Sequence, residues 1–152
     1  MRLAKPFKVT ALLSLAVVLP LLATADGHDP ISQRQALMSD TREALKPLIG
    51  MSRGQLDFDA ATVSESLAVF AHTAANAGEL FPEGTETGGD TEAKDTIWSD
   101  RAGFDQAMTD FADAVASAQA ANPQTLDDFK PALNGVLKTC KGCHDGYRIE
   151  KE

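Results

Sequence analysis

Apolar residues recur along most of this chain at spacings of three and four, and almost nowhere at a spacing of two, so the pattern is helical. The first such segment opens after Asp29-Pro30, an N-cap followed by a proline in the first turn. Its inward stripe is Ile31, Arg34, Met38, Thr41, Leu45 and Leu48. Pro47 is expected to kink it or loosen its last turns, and Gly50 and Gly54 stand near its end. The second segment runs from about Asp59 to Asn76 with Val63, Leu67, Phe70 and Ala74 on one face, and Gly78 as a stop signal. The third runs from about Ser99 to Ala121, its stripe being Phe104, Met108, Phe111, Val115 and Ala118, and Asn122-Pro123 ends it. The fourth starts near Thr125, an N-cap, and carries Leu126, Phe129, Leu133, Val136, Leu137 and Cys140 inward. Continuing that spacing brings in His144 and Tyr147, while Pro131 falls in the second turn, where it is tolerated.

Between the second and third segments lies LFPEGTETGGDTEAKDTIW, residues 80–98, rich in glycine, threonine and acids. It reads as a long crossover loop that contributes no core element, with Phe81 and Trp98 pinning its ends by plain packing. Four amphipathic helices with one long connection predict an all-α, antiparallel up-down-up-down four-helix bundle. Its cores are thin, because alanine is abundant and large apolar residues are few. A cofactor lying between the helices would fill the missing volume.

The N-terminus changes the picture of compartment. Met1 to Lys8 carries Arg2, Lys5 and Lys8 and no acid, Val9 to Leu22 is almost wholly apolar, and Ala23-Thr24-Ala25 has the form of a cleavage site. Residues 1–25 therefore read as a cleaved secretory signal peptide, the apolar run being short for a membrane span. Residues 26–152 form one domain, and the expected location is the periplasm. Cleavage removes three of the 14 cations and none of the 22 acids, leaving a formal charge of −11. Such a chain repels nucleic acid and anionic lipid, and a partner steered by charge should present a basic patch.

Both cysteines of the chain lie in LKTCKGCHDGYRIEKE, residues 137–152, as Cys140-x-x-Cys143-His144. This is the attachment signature of c-type haem. Two thiols one helical turn apart lie on the same side of the chain and can add across the haem vinyl groups as thioethers. The adjoining His144 can then ligate the iron from the proximal side. Thioethers also explain why two cysteines in an oxidising compartment would not simply pair. Three other readings remain beside it. A thioredoxin-like C-x-x-C wants a βαβ setting, which the pattern lacks. A zinc site wants more ligands, and only His28 and His72 remain. A small disulfide ring adds little stability and leaves His144 without a role.

The stretches CKGCHDGYR at the C-terminus, RQALM in the first helix and GTETGGDTEAKDTIW in the crossover resemble the class II cytochromes c, cytochrome c′ and cytochrome c-556. The resemblance covers essentially the whole mature chain. It implies one haem c, covalently held by Cys140 and Cys143 in the bundle core near the C-terminal helix, with His144 as proximal ligand. It implies haem contacts for Arg34 (near the propionates), Gln35 and Met38, and a place for Arg148 at the proximal face, where nitric oxide can act. Met38 divides two functions. As a sixth ligand it would make a low-spin c-556-like electron carrier; as a packing residue it would leave a five-coordinate haem open to nitric oxide or carbon monoxide, as in cytochrome c′. The first-helix arginine fits the c′ pattern and the methionine the c-556 pattern. The stretch MSDTREALKPLIG lacks the early glycine of many c-556-like chains, so the balance favours the c′ scaffold, with electron transfer common to both. Many members of this family are homodimers through their first two helices. No nucleophile–base pair or phosphate loop points to an enzyme. The alternatives of another class are a helical interaction module without haem and an exported thiol oxidoreductase.

Overall fold

The computed structural model describes residues 29–150; the expected signal peptide lies outside the described residues, as does His28. Among these residues there are five α-helices: α1 Pro30–Ser52, α2 Ala60–Asn76, α3 Thr96–Ser99, α4 Arg101–Ala121 and α5 Leu126–Tyr147. The four long ones are the four expected from the spacing, and the single turn of α3 precedes the third. A 3-10 turn, Ala77–Leu80, ends α2 where Gly78 was expected to stop it.

Side-chain caps start the long helices. The Asp29 carboxylate accepts from the Ile31 and Ser32 amides with Pro30 in the first turn, and Asp59 accepts from Ala61 and Thr62. The Ser32 and Thr62 hydroxyls also donate to these carboxylates and, with the amides, hold both pKa values below the ordinary one. Each cap is therefore at full strength above the ordinary carboxylate range and weakens as pH falls through the lowered value. Thr125 caps α5 by accepting from the Asp128 amide at 3.2 Å. At the other end, α4 closes on Asn122 in the left-handed region, φ 42°, a conformation asparagine tolerates. Pro47 does not break α1, which runs on to Ser52.

The main core joins α1, α2, α4 and α5 through Leu48, Val63, Leu67, Phe70, Phe111, Val115, Phe129, Leu133 and Val136. In sequence order each long helix packs closely on the next, whereas the first and last, α1 and α5, touch only sparsely. The α1 stripe shows the same asymmetry: Ile31, Arg34 and Leu48 are buried, while Met38, Thr41 and Leu45 between them are half-buried.

The crossover departs from expectation. Ala93 and Ile97 are buried and form a second core with Phe104, flanked by Phe81, Trp98, Met108 and Tyr147. The glycines and threonines of this segment are turn and hydrogen-bonding residues that fold it back, so its few apolar side chains reach the end of the bundle. Edge-to-face rings run from Trp98 to Phe81 (6.1 Å), Phe81 to Phe104 (4.9 Å) and Phe104 to Tyr147 (5.5 Å). Gly103 makes this packing possible, because a Cβ there would overlap the Asp100 carboxylate and the Tyr147 hydroxyl, which bond to each other at 3.0 Å. Gly103→Ala should therefore lower stability by about 1–3 kcal/mol, although alanine favours the helix. Denaturant unfolding of the variant checks this; an unchanged or raised midpoint would contradict it.

Candidate functional site

Arg34 is 4% exposed, as its place in the apolar register of α1 requires. Its guanidinium Nη1 donates to the Leu80 carbonyl and the Thr85 hydroxyl, both at 3.0 Å. Nη2 donates to the Thr85 carbonyl at 2.7 Å and the Thr91 hydroxyl at 2.8 Å. The cation also lies 4.7 Å from the Phe81 ring centroid and 5.9 Å from that of Trp98. Burial pushes its pKa down, opposed by Asp29 and then Glu86. Its partners are thus the crossover, and the next residue joins the same loop: Gln35 donates to the Asp90 carbonyl at 3.0 Å. Met38 lies one turn further along α1, half-buried.

The thiols lie toward the C-terminal end of α5. Cys140 and Cys143 are free and half-buried, and Cys140 packs against the main core. Burial raises both pKa values, and for Cys143 the neighbouring Cys140 adds to it. His144 is exposed, where the continued spacing put it inward; Tyr147 is half-buried. Desolvation and then the Arg148 charge lower the His144 pKa, while Asp145 and Glu92 oppose them.

Arg148 leaves the helix in extended conformation, its amide still bonded to the His144 carbonyl at 3.0 Å. Its side chain pairs with Glu92 of the crossover at 2.7 Å. Residues 92–96 also bond the end of α5 through backbone and side chains, contacts that sequence periodicity does not register. Thr85, Thr91 and Glu92 lie in the stretch that resembles the family, but nothing in periodicity or charge marked their roles: each is a polar residue in a polar loop, and only the fold brings it to a cation.

An end-capped helical bundle with a Cys-x-x-Cys-His at the close of its last helix defines the setting of a class II c-type cytochrome. The family model described as Cytochrome C′ matches residues 29–148, and the chain belongs to that family. It is 38% identical over 146 residues to a cytochrome c′ of Rhodopseudomonas palustris, covering 91% of this chain and 98% of that one. A cytochrome c-556 of the same organism is 30% identical over 143 residues, covering 91% and 95%. The solved structure of cytochrome c′ from Rhodopseudomonas palustris superposes with a TM-score of 0.78 at 40% identity, covering 82% of this chain and 98% of that one. A nitric oxide complex of a cytochrome c prime variant from Alcaligenes xylosoxidans superposes at 0.71 with 30% identity, covering 80% and 94%. The four-helix fold is shared, and the chain is a haem c protein of electron-transfer type, its haem covalently attached.

Arg34→Met would leave the Leu80 and Thr85 carbonyls and two threonine hydroxyls without their charged donor. The expected cost is about 3 kcal/mol. Amide hydrogen exchange should accelerate between residues 81 and 91 more than in α2 or α4. Uniform protection across the crossover and the helices would contradict this.

Proposed function

We propose that Cys140 and Cys143 hold the haem as thioethers, that His144 is its proximal ligand, and that Met38 packs on the distal side without ligating. The protein is then a periplasmic electron carrier able to bind nitric oxide or carbon monoxide. The observation that carries this reading is the set of groups at the end of α5. Two half-buried thiols stand one turn apart with an imidazole next to the second, on a helix whose contact with α1 is sparse. The donor chemistry suits haem c, and the sparse α1–α5 contact suits a flat group between those helices. When bound, haem c supplies a one-electron couple and an iron site for a diatomic gas.

The residues divide the work. The thiols anchor covalently, and their raised pKa values speak against the exported oxidoreductase, which needs a stabilised thiolate. Met38 supplies a soft, polarizable wall to the distal side. Arg34 and Gln35 bond the crossover, and their contacts with the haem, Arg34 near the propionates, would be made from that anchored position. The greater identity to the cytochrome c′ of Rhodopseudomonas palustris than to the cytochrome c-556 of the same organism, and the nitric oxide complex of a relative, support the five-coordinate reading.

Protein from a host with haem-attachment machinery should keep its colour after acid-acetone extraction. The reduced form should change spectrum with carbon monoxide, and Met38→Ala should leave the spin state alone. A low-spin ferric spectrum with the near-infrared band of methionine ligation, turned high-spin by Met38→Ala, would establish the c-556-like carrier instead. Colourless protein would remove the haem assignment to these residues altogether.

A homodimer through α1 and α2 is supported by the groove between them, about 720 Å³, lined in part by Leu37, Ala44, Pro47, Ala68 and Val69. Export is supported by the N-terminal pattern, and among the described residues no helix is long and apolar enough to cross a membrane. Sedimentation at twice the mature chain mass and a mature N-terminus at Asp26 are expected. A monomer, or an uncleaved chain, would overturn the respective part.

A further inference from the structure

The crossover grips the end of α5 by two separate means. The first is mostly backbone. Ala93 and Arg148 form an antiparallel bridge, the Lys94 amide donates to the Tyr147 carbonyl at 3.0 Å, and the Ile149 amide donates to the Glu92 carbonyl at 2.7 Å. Lys94 Nζ reaches the Asp145 carbonyl at 2.8 Å and the Thr96 hydroxyl the Gly146 carbonyl at 2.9 Å. The second is ionic. Arg148 Nε and Nη2 both lie 2.7 Å from Glu92 Oε2.

The ionic contact is redundant as a fastener. Its side chains are 45% and 30% exposed, and pairs so placed contribute about 0–1 kcal/mol. The backbone bonds hold the two segments together without it. What the pair does is fix where a charge sits. Arg148 is one turn beyond His144 and bonded to its carbonyl, and Glu92 is in contact with the Arg148 guanidinium. Asp145, the carboxylate next to His144 in the chain, is paired with Lys141.

We propose that Glu92 is a positioning residue for the Arg148 charge: it parks and neutralises that guanidinium beside His144, and the pair thereby sets the reduction potential of the bound haem. The inference rests on His144 being the proximal ligand. A cation near the iron stabilises the reduced, less positive state and raises the potential, and an anion lowers it. Two opposite charges in contact nearly cancel, so the pair holds the potential between the values either charge alone would give.

The test is a spectroelectrochemical titration of the haem-loaded protein with Glu92→Gln, Arg148→Gln and both together, at low and high salt. Glu92→Gln should raise the potential, Arg148→Gln should lower it, and the double variant should return close to wild type. Both single shifts should shrink in high salt. Loss of a merely structural contact would move both single variants in the same direction, and that result, or no shift in either, overturns the proposal. Covalent haem content is measured first on the denatured wild-type protein and on His144→Ala. Absence of haem from the wild type, or an unaltered spectrum in His144→Ala, defeats the site assignment itself. Fully loaded variants with unmoved potentials defeat only the role of Glu92.

Discussion

The guanidinium of Arg34 is the contact on which the end of this bundle depends. A charge that far from water survives only with its donors engaged, and here they bind two carbonyls and two hydroxyls of the crossover while its face meets Phe81 and Trp98. The loop holds the charge and the charge holds the loop. With this segment fixed to α1 at one end and to α5 at the other, two helices that scarcely touch directly are nevertheless tied in position. The groups at the close of α5 are therefore placed relative to α1 through this segment as well as through α2 and α4.

The helices themselves were legible in the chain. Their apolar stripes, the caps at Asp29, Asp59 and Thr125 and the stop at Asn122 are local features, set by residues within a turn or two of each other. The Cys140–His144 motif was equally legible, because its spacing is short. Arg34 was placed inward by register, though its partners were not, since they lie 46 to 57 residues away. The crossover was misread as having no core because its apolar residues, Ala93 and Ile97, follow no helical or strand period. They are buried by reaching the end of the bundle, a tertiary circumstance. His144 is the converse case: the spacing carries it inward and it is exposed, while Tyr147 beyond it is half-buried against the second core.

The two ends of the crossover use different physics. At Arg34 the charge is buried and its contacts are structural. At Arg148 the charge is near the surface, the backbone does the fastening, and the ion pair is left free to serve electrostatics. Similar cations in one loop's grasp thus divide into a keystone and a tuning element according to their depth below the surface.

The grip of residues 92–96 on the end of α5 joins positions separated by about fifty residues. Such contacts wait on loop closure, so they belong late in folding, after the helices have formed from local signals. Until then the last turns of α5 stand apart from the crossover. The order of events is thereby built into the topology: the turns that follow Cys143 are fastened only when the crossover docks, after the helix that carries them has formed.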